Sequence, residues 1–320
     1  MKVLVIQQRI GIGDMIIFLP YIHAISKKFQ SKVSLLVKKN SKAADLCVDD
    51  THIGEIINLN INKDSSGNHN GWRGFFRLLK EIKEKKFDKI FIFNSSVKYL
   101  LLAKLAGIKS ISQYPLFLKK NNIILTAKEL IQNSIQENIS TQPILHLNQD
   151  KIESAKNKYK FNNNFKHICF GFSASGPTKR WPIEKYIRLA ESINKIKPCK
   201  FYLAGGKNDE ELFTKFTNSS IASSCVSFKN LSISKTLPII KNCDMYVGND
   251  TGWLHIASAL DKKCVALFMD TPVKAYGKYS KNISVIIPEG ETEETTTHDT
   301  LGKDKINFKK VLNKSLEILG

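Results

Sequence analysis

The amino-acid sequence predicts an α/β protein with two domains, each built around a parallel, doubly wound sheet. Short apolar runs that suit buried strands alternate with longer segments of helical apolar spacing, as in parallel sheets. This alternation is interrupted by a polar stretch at residues 142–166 and then begins again. A chain of 320 residues is long enough for two domains. We therefore expect an N-terminal domain at 1–150, a C-terminal domain at 151–305, and a last helix at 306–320 packing near the domain junction.

The N-terminal half begins with an apolar run at residues 2–6, typical of a first strand. The helix that follows has apolar residues at Ile16, Leu19, Ile22 and Ile25, one face of a 3.6-residue period, with Pro20 as a possible kink. A polar, glycine-bearing stretch at 63–74 predicts a surface loop. The elements predicted here are strands at 2–6, 33–37, 56–59 and 89–93, and helices at 15–29, 75–85 and 98–106.

The C-terminal half repeats the alternation of strands and helices after a connecting helix at residues 151–159. The acidic, threonine-rich segment at 289–304 is typical of turns. The elements predicted here are strands at 167–172, 200–204, 225–228, 244–247, 264–268 and 283–287, and helices at 182–193, 209–216, 232–242 and 308–319, besides the helix that holds His255.

The composition is that of a soluble globular protein, with 42% hydrophobic and 24% charged residues. No apolar run approaches the roughly 20 residues of a membrane span, and residues 1–6 are too short an apolar stretch for a signal peptide. We therefore expect a cytoplasmic protein. The six cysteines contain no C-x-x-C pair, which argues against a zinc site and a disulfide framework.

A net charge of +20 fits three kinds of partner: nucleic acid, an anionic membrane surface, or a phosphorylated acidic substrate. Because no clustered basic face with interleaved aromatics is visible, we expect no nucleic acid. The predicted helix at 75–85 carries Phe75, Phe76, Leu79 and Ile82 along one side, so it could lie on a lipid surface or pack on the sheet. An AT-rich genome is the alternative explanation of the many lysines.

The turn after the strand that ends near Val247 is the strongest candidate site. Asp250, Thr251 and Gly252 lie where a strand meets a helix, and His255 follows one turn later. The unpaired amides and positive dipole of a helix N-terminus favour a phosphate there. The alternative is a helix cap with a surface histidine.

Two further turns in the C-terminal half add residues to this candidate site. Ser173 and Ser175 precede Lys179, and hydroxyls beside a fixed cation suit a phosphate; the alternative is a solvated loop with surface charges. Asp209 or Glu210, after a glycine turn, could hold a ribose diol or only complement the helix dipole. Because such turns share one edge of a parallel sheet, together they predict a nucleotide diphosphate site.

Asp14 follows the first strand and its glycine turn, at Gly11 and Gly13. A carboxylate at the carboxyl end of a strand can face a ligand and act as a general base. The alternative is a helix N-cap. The glycine spacing does not match a dinucleotide fingerprint.

These motifs resemble glycosyltransferase family 9, the ADP-heptose:lipopolysaccharide heptosyltransferases. The resemblance spans nearly the whole chain, and its motifs are Gly13-Asp14, Phe87-Asp88, Lys98-x5-Lys104-Leu-Ala-Gly107, Ser173-Ala-Ser, Lys179-Arg-Trp-Pro182, Gly205-Gly206 and Gly248-Asn-Asp-Thr-Gly-x-x-His255.

The resemblance implies a GT-B fold, in which two Rossmann-like domains face each other across a cleft, and an inverting, metal-independent transfer that needs no cofactor. Asp14 would be the general base, with Gly13 and Lys98 on the acceptor side. The donor-binding residues would be Ser173, Ser175 and Lys179 at the diphosphate, Asp209 or Glu210 at the ribose, and Thr251, Gly252 and His255 at the phosphates, in a loop ordered by Asp250.

Some positions depart from the family pattern. Residues 94–96 replace a Gln-Gly pair, residues 268–271 replace Gly-Pro-Thr, Trp253 fills a usually small position, and a cysteine-containing segment near the C-terminus is absent. The expected function is transfer of heptose or a related sugar, from ADP-heptose or a similar donor, to a lipopolysaccharide core or related glycan. The acceptor would be an anionic glycolipid or oligosaccharide at the inner face of the cytoplasmic membrane. A GT-B-fold nucleotide-sugar epimerase is the alternative enzyme.

Overall fold

Two parallel sheets, one in each half of the chain, form the framework of the protein. The computed structural model describes residues 1–62, 64, 66–117 and 122–320. These residues form two units, Met1–His146 and Leu147–Gly320. The boundary lies slightly before the predicted one, because the helix expected at 151–159 begins earlier, at Gln149, and belongs to the second unit.

The first unit carries a five-stranded sheet of order β3-β2-β1-β4-β5. Every strand pairing in it is parallel, as predicted. Its elements are β1 (Val3–Gln7), α1 (Ile12–Phe29), β2 (Val33–Val37), α2 (Ala43–Leu46), β3 (Ile53–Asn58), α3 (Gly71–Lys85), β4 (Lys89–Ile92), α4 (Val97–Leu105), β5 (Ser110–Gln113) and α5 (Ile123–Ile135).

The core of this unit forms because β1 is buried along its whole length and α1 buries most of its residues. Pro20 stands inside α1. The predicted surface loop is shorter than expected, since α3 begins at Gly71; Lys63 and Ser65 of that loop lie outside the described residues. Three elements, α2, β5 and α5, were not predicted. Three of the four β5 residues are polar and all four are only partly buried, so the segment gives a weak strand signal.

The second unit carries a six-stranded sheet of order β11-β10-β9-β6-β7-β8, again with parallel pairings. Its elements are α6 (Gln149–Lys158), β6 (Lys166–Gly171), α7 (Ile183–Ile196), β7 (Cys199–Ala204), α8 (Glu210–Thr217), β8 (Cys225–Ser227), α9 (Ile233–Asn242), β9 (Met245–Asn249), α10 (Gly252–Ala259), β10 (Lys263–Leu267), α11 (Val273–Tyr276), β11 (Ile283–Ile286) and α12 (Phe308–Leu319).

The C-terminal helix α12 belongs to the core of the second unit. Val311 is fully buried and Leu319 nearly so, and both join the apolar cluster formed by β6, β7, β9 and α7. The residues after 305 are therefore part of the second domain rather than a separate element.

Strand order decides where a ligand can bind. In the second sheet β6 lies between β7 and β9, and in the first sheet β1 lies between β2 and β4. Chain connections leave these central strands in opposite directions, which opens a crevice at their carboxyl ends. The segments after β6 and β9, and those after β1 and β4, are therefore the places to look for a site.

Candidate active site

Asn249, at the carboxyl end of β9, holds together the two loops that border the crevice of the second sheet. Its side chain is fully buried. The amide nitrogen Nδ2 donates to the carbonyl of Phe172 at 2.8 Å, while Oδ1 accepts from the Trp181 amide at 3.2 Å and the Tyr186 hydroxyl at 2.8 Å. Both ends of the loop between β6 and α7 are thus fixed to β9. Asn249 belongs to the sequence motif at this turn but was not predicted to have a role, although a polar residue ending an apolar strand is a usable signal.

Strands β6 and β9 lie close together at their carboxyl ends because both facing positions are glycine. Gly171 of β6 pairs with Gly248 of β9. A Cβ at residue 171 would lie 1.9 Å from the Tyr246 hydroxyl, and one at residue 248 would lie 2.6 Å from the Gly171 carbonyl oxygen. Larger residues at either position would force the strand ends apart, so the crevice depends on these glycines.

The N-terminus of α10 presents polar groups that lack partners. Thr251 is the N-cap residue, in an extended conformation, but its side chain makes no capping hydrogen bond. Among the described residues, the buried Thr251 Oγ1 makes no hydrogen bond, and the buried Asp250 Oδ1 has only His255 Nε2 beside it, at 3.3 Å. A buried polar atom left unsatisfied costs about 1–3 kcal/mol, and a helix N-terminus favours anions. The arrangement therefore suits a phosphate that would satisfy the Thr251 hydroxyl and the first helix amides.

His255 is held in one orientation beside this position. The side chain is 3% exposed, so the alternative of a surface histidine is wrong. Its Nδ1 lies 2.6 Å from the Tyr279 hydroxyl, and Nε2 lies 3.3 Å from Asp250 Oδ1. Burial raises the pKa of Tyr279 well above 10, so its hydroxyl stays protonated and can donate to Nδ1. The Nε2 proton then faces Asp250, and the pair fixes the turn before α10.

The loop after β6 carries Lys179, the candidate cation for binding a phosphate. Lys179 ends a short 3-10 turn, and its ammonium group has no ion-pair partner among the described residues. The neighbouring Thr178 donates from Oγ1 to Asp270 Oδ2 at 2.7 Å, which ties the loop to the segment after β10. Burial acts to raise the pKa of Asp270, but hydrogen bonds from Thr178 and the Leu301 amide and the charge of Lys179 lower it overall. Ser173 is buried and Ser175 exposed in the same loop.

The two carboxylates proposed for the ribose have different surroundings. Asp209 is 8% exposed, and its Oδ2 accepts from the Gly206 amide at 2.8 Å. Its Oδ1 lies 3.5 Å from Nη2 of Arg180, which also donates to the Ala174 carbonyl. Glu210, by contrast, has a largely exposed side chain paired with Lys229. Of the two carboxylates, Asp209 is therefore the one linked, through Arg180, to the loop that carries Lys179.

Asp14 lies in the first turn of α1, which begins at Ile12 rather than after Asp14 as predicted. The N-cap residue is Gly11, so the N-cap alternative for Asp14 is wrong in position. Asp14 nevertheless takes part in capping, because Oδ2 accepts from the Gly11 amide at 3.2 Å. Arg9 donates from Nε to Oδ1 at 3.0 Å, and the Asp14 side chain is 16% exposed. The carboxylate is thus fixed by two donors and remains accessible.

Comparison with known proteins agrees with this geometry. The model of the glycosyltransferase family 9 (heptosyltransferase) matches residues 75–304, most of the chain. The chain belongs to glycosyltransferase family 9.

Relatives of this family 9 protein among curated proteins and solved structures include heptosyltransferases. Lipooligosaccharide heptosyltransferase 2 of Haemophilus influenzae is 25% identical over 219 residues, which are 64% of this chain and 61% of that protein. The chain thus spans less than two thirds of the length of this relative. Escherichia coli ADP-heptose lps heptosyltransferase II has a TM-score of 0.75 at 21% identity, over 100% of this chain and 98% of that one. Escherichia coli heptosyltransferase WaaC with ADP has a TM-score of 0.74 at 15% identity, over 99% of this chain and 100% of that one.

These structural matches confirm the GT-B-type fold of the family 9 protein, with one Rossmann-like domain in each half. A UDP-GlcNAc 2-epimerase from Neisseria meningitidis has the lower TM-score of 0.55 at 14% identity, over 100% of this chain and 91% of that one. The epimerase alternative is therefore not favoured.

The predicted acceptor-side residues of the family 9 protein follow β1 and β4. Gly13 lies within the first turn of α1. Lys98 lies in the first turn of α4, where Ser96 caps the helix by accepting from the Lys98 amide at 3.2 Å. Partial burial lowers the pKa of Lys98 below its usual value. The Tyr99 hydroxyl donates to Gln8 at 2.7 Å and so joins α4 to the segment after β1.

Gln7, at the same edge of the first sheet, was not predicted as a site residue. Gln7 ends β1 fully buried, and both polar atoms of its side chain lack partners among the described residues. A glutamine closing an otherwise apolar strand was the available signal. Its unsatisfied amide makes it a candidate contact for a hydroxyl-rich ligand.

One group of side chains that could act as metal ligands is brought together within the described part of the first unit. His23, Asp50 and His146 each place one ligand atom within 4.8 Å of the others. These positions are far apart in the sequence, so no short spacing reveals them. The six cysteines, in contrast, are free thiols, as expected.

Proposed function

We propose that this family 9 protein is an inverting glycosyltransferase that uses ADP-heptose, or a closely related nucleotide-diphospho-sugar, as donor. The acceptor in this proposal is a lipopolysaccharide core or a related surface glycan. Family membership and heptosyltransferase relatives support the reaction class. The observation that carries the donor site is the buried Thr251 hydroxyl at the N-terminus of α10, which makes no hydrogen bond among the described residues, together with the ammonium group of Lys179, which forms no ion pair among them.

The diphosphate would bind at the carboxyl ends of β6 and β9. The first amides of α10 and the Thr251 hydroxyl would donate to one phosphate, and Lys179 would supply the positive charge. Asn249 fixes the loop that carries Lys179, so these donors are held in place before the donor arrives. Donors fixed in advance stabilise the charge that develops on a departing diphosphate.

Asp209 is our candidate for the ribose contact. It is bonded through Arg180 to the same loop as Lys179, whereas Glu210 is occupied by Lys229. His255 would act through Asp250, by keeping the turn before α10 in the conformation that exposes its amides. This role differs from a direct phosphate contact, because Nε2 of His255 already faces the Asp250 carboxylate.

Asp14 would remove the proton of the acceptor hydroxyl as that oxygen attacks the anomeric carbon. The bond to the diphosphate breaks on the opposite face of the sugar, so the anomeric configuration inverts. The two donors from Gly11 and Arg9 leave the carboxylate with lone pairs still available, since each oxygen can accept more than one hydrogen bond. We further propose that neither a metal ion nor an organic cofactor takes part in the transfer.

The acceptor would be met at the inner face of the cytoplasmic membrane. No helix in the described part of the chain is long and apolar enough to cross a membrane. Helix α3 buries Leu78 and Ile82 but leaves Trp72 70% and Phe76 54% exposed, with Arg73 over the Trp72 ring. Exposed aromatic residues beside arginines suit the interface of an anionic bilayer.

The test measures sugar transfer by the purified protein. ADP-heptose or UDP-GlcNAc is supplied as donor, with and without lipid-linked core oligosaccharide, and products are identified by mass spectrometry. The proposal expects a product larger by one heptose, formed only with ADP-heptose and acceptor together. Conversion of a nucleotide-sugar into its epimer without acceptor would contradict the proposal. So would transfer of N-acetylglucosamine but not heptose.

A further inference from the structure

Three of the seven histidines in the chain gather at one place in the first unit, away from the proposed chemistry. His23, His52 and His146 have ring centroids 4.9, 5.2 and 5.5 Å apart. The cluster draws on α1, on the turn before β3 and on the last residue of the unit. His23 lies nine residues beyond Asp14 on α1, a separation of roughly 13.5 Å along a helix that rises 1.5 Å per residue.

Asp50 completes the cluster with a carboxylate. Its Oδ2 lies 2.7 Å from Nε2 of His23, and its Oδ1 accepts from the backbone amide of His52 at 2.9 Å. Both Asp50 and His23 are 7% exposed. A nearly buried carboxylate is thus oriented by one backbone donor, while its second oxygen faces the His23 imidazole.

The spacing of the ligand atoms suits one small cation. The ligand atoms of His23, Asp50 and His146 all lie within 4.8 Å of one another. In a tetrahedral zinc site, with bonds of about 2.0–2.1 Å, neighbouring ligand atoms are roughly 3.3 Å apart. Small side-chain rotations would therefore bring the three atoms around one ion, replacing the present bond between His23 and Asp50.

His52 is placed to add a fourth ligand, which would be the third nitrogen of the site. Its Nδ1 lies 3.2 Å from the Ser26 hydroxyl, an arrangement that leaves Nε2 available. Metal-binding histidines commonly have their second nitrogen hydrogen-bonded in this way, which fixes the ring and its tautomer. His146 and His52 are only partly buried, so an ion has a path from solvent.

We propose that His23, Asp50 and His146 bind one divalent transition-metal ion of the zinc class, with His52 or water as the fourth ligand. Imidazole nitrogens and one carboxylate favour zinc over magnesium or calcium, which prefer oxygen ligands. The site is structural. It fastens the middle of α1 to the turn before β3 and to the end of the first unit, and it takes no part in sugar transfer.

The test uses the tag-free, full-length protein after removal of metals with EDTA and extensive dialysis. Zinc binding is measured by calorimetry, and the thermal midpoint is recorded with and without zinc. We expect one tightly bound zinc per chain and a higher midpoint with zinc. His146→Ala should weaken zinc binding at least about 100-fold and abolish the shift, since even loss of a supporting residue costs up to about 100-fold. His298→Ala, which removes an exposed histidine of the second unit, should bind as the parent does.

Cobalt provides a measurement that needs no variant. Cobalt bound at this site should give the intense visible absorption of four-coordinate nitrogen and oxygen ligation, without the ultraviolet charge-transfer bands of a thiolate. Thiolate bands would assign the metal to one of the six free cysteines and overturn the proposal. Absence of stoichiometric zinc binding by the parent would overturn it too. Undiminished binding by both His146→Ala and Asp50→Asn would have the same meaning.

Discussion

Replacing Lys179 by alanine tests the proposed diphosphate site most directly. The Lys179 ammonium group has no ion-pair partner among the described residues, so its removal breaks no ion pair of the folded protein. Its loop is held by other contacts, from Asn249 at both ends and from Thr178 to Asp270. The loop should therefore keep its conformation in the variant, and the change in binding should report on the lost charge alone.

The size of the effect follows from the kind of bond that is lost. A hydrogen bond to a charged group contributes about 1.5–3 kcal/mol, which corresponds to a roughly 10- to 150-fold change in Kd. ADP should lose this amount of affinity, because its phosphates carry the partner charge. Adenosine carries no phosphate, so its affinity should change by no more than about twofold, the usual limit for surface substitutions away from a contact.

The assay is calorimetric titration of ADP and adenosine into the parent protein and Lys179→Ala at two salt concentrations. Lys215→Ala is the matched control, since Lys215 is a surface lysine of the same unit, paired with Glu184. The control should bind both ligands as the parent does. Equal losses for ADP and adenosine in Lys179→Ala would refute the reasoning, because they would mean that Lys179 only shapes the loop.

Four further predictions concern catalysis, metal, pH and the membrane. Asp14→Asn should keep ADP affinity and lower kcat at least about 100-fold, measured by product formation; near-normal kcat would contradict its role as base. Transfer should survive EDTA although the thermal midpoint falls, and activity lost to EDTA and restored by magnesium would contradict the metal-free reaction. The pKa of Asp270 is lowered by folding, so its stabilising contribution is present above about pH 3.8 and is lost as pH falls through the folded value. In urea unfolding, the stability deficit of Asp270→Asn should therefore shrink in acid; a deficit independent of pH would contradict this. Co-sedimentation with anionic vesicles should weaken as salt rises, and Trp72→Ser should bind less than the parent; equal binding to neutral vesicles would exclude electrostatic attraction.

The architecture could be predicted because its signals are local. The apolar runs that form β1, β2 and β9 are short and bounded by turn residues, and the helices between them show a 3.6-residue period. Most predicted boundaries lie within a few residues of the observed ones. The missed strand β5 has too little apolar character to be separated from a loop. In α5, buried Ile124, Ala127 and Ile131 do follow helical spacing, so that helix was available from the pattern.

Side-chain partnerships could be predicted less well, because they join residues from distant segments. The turn at Asp250 and Thr251 was located from residue types alone, yet the bond of His255 to Tyr279 joins α10 to a residue beyond α11. The side-chain amide of Asn249 likewise bonds to both ends of the loop after β6, which is distant from it in the sequence. The histidine cluster is the extreme case, since its members become neighbours only when the first sheet and α1 have packed.

The close contact of Gly171, Tyr246 and Gly248 limits how this protein can diverge. The Tyr246 ring is fully buried, and a methyl group at either glycine would overlap its hydroxyl. Removing the hydroxyl alone would not make room, because the ring carbon Cζ would still lie 2.5 Å from a Cβ at residue 171. A side chain at residue 171 therefore requires a smaller residue at position 246, and one at residue 248 would also lie 2.6 Å from the Gly171 carbonyl oxygen. Changes that alter the donor are therefore expected in the loops beyond the strand ends, while the strand ends themselves stay fixed.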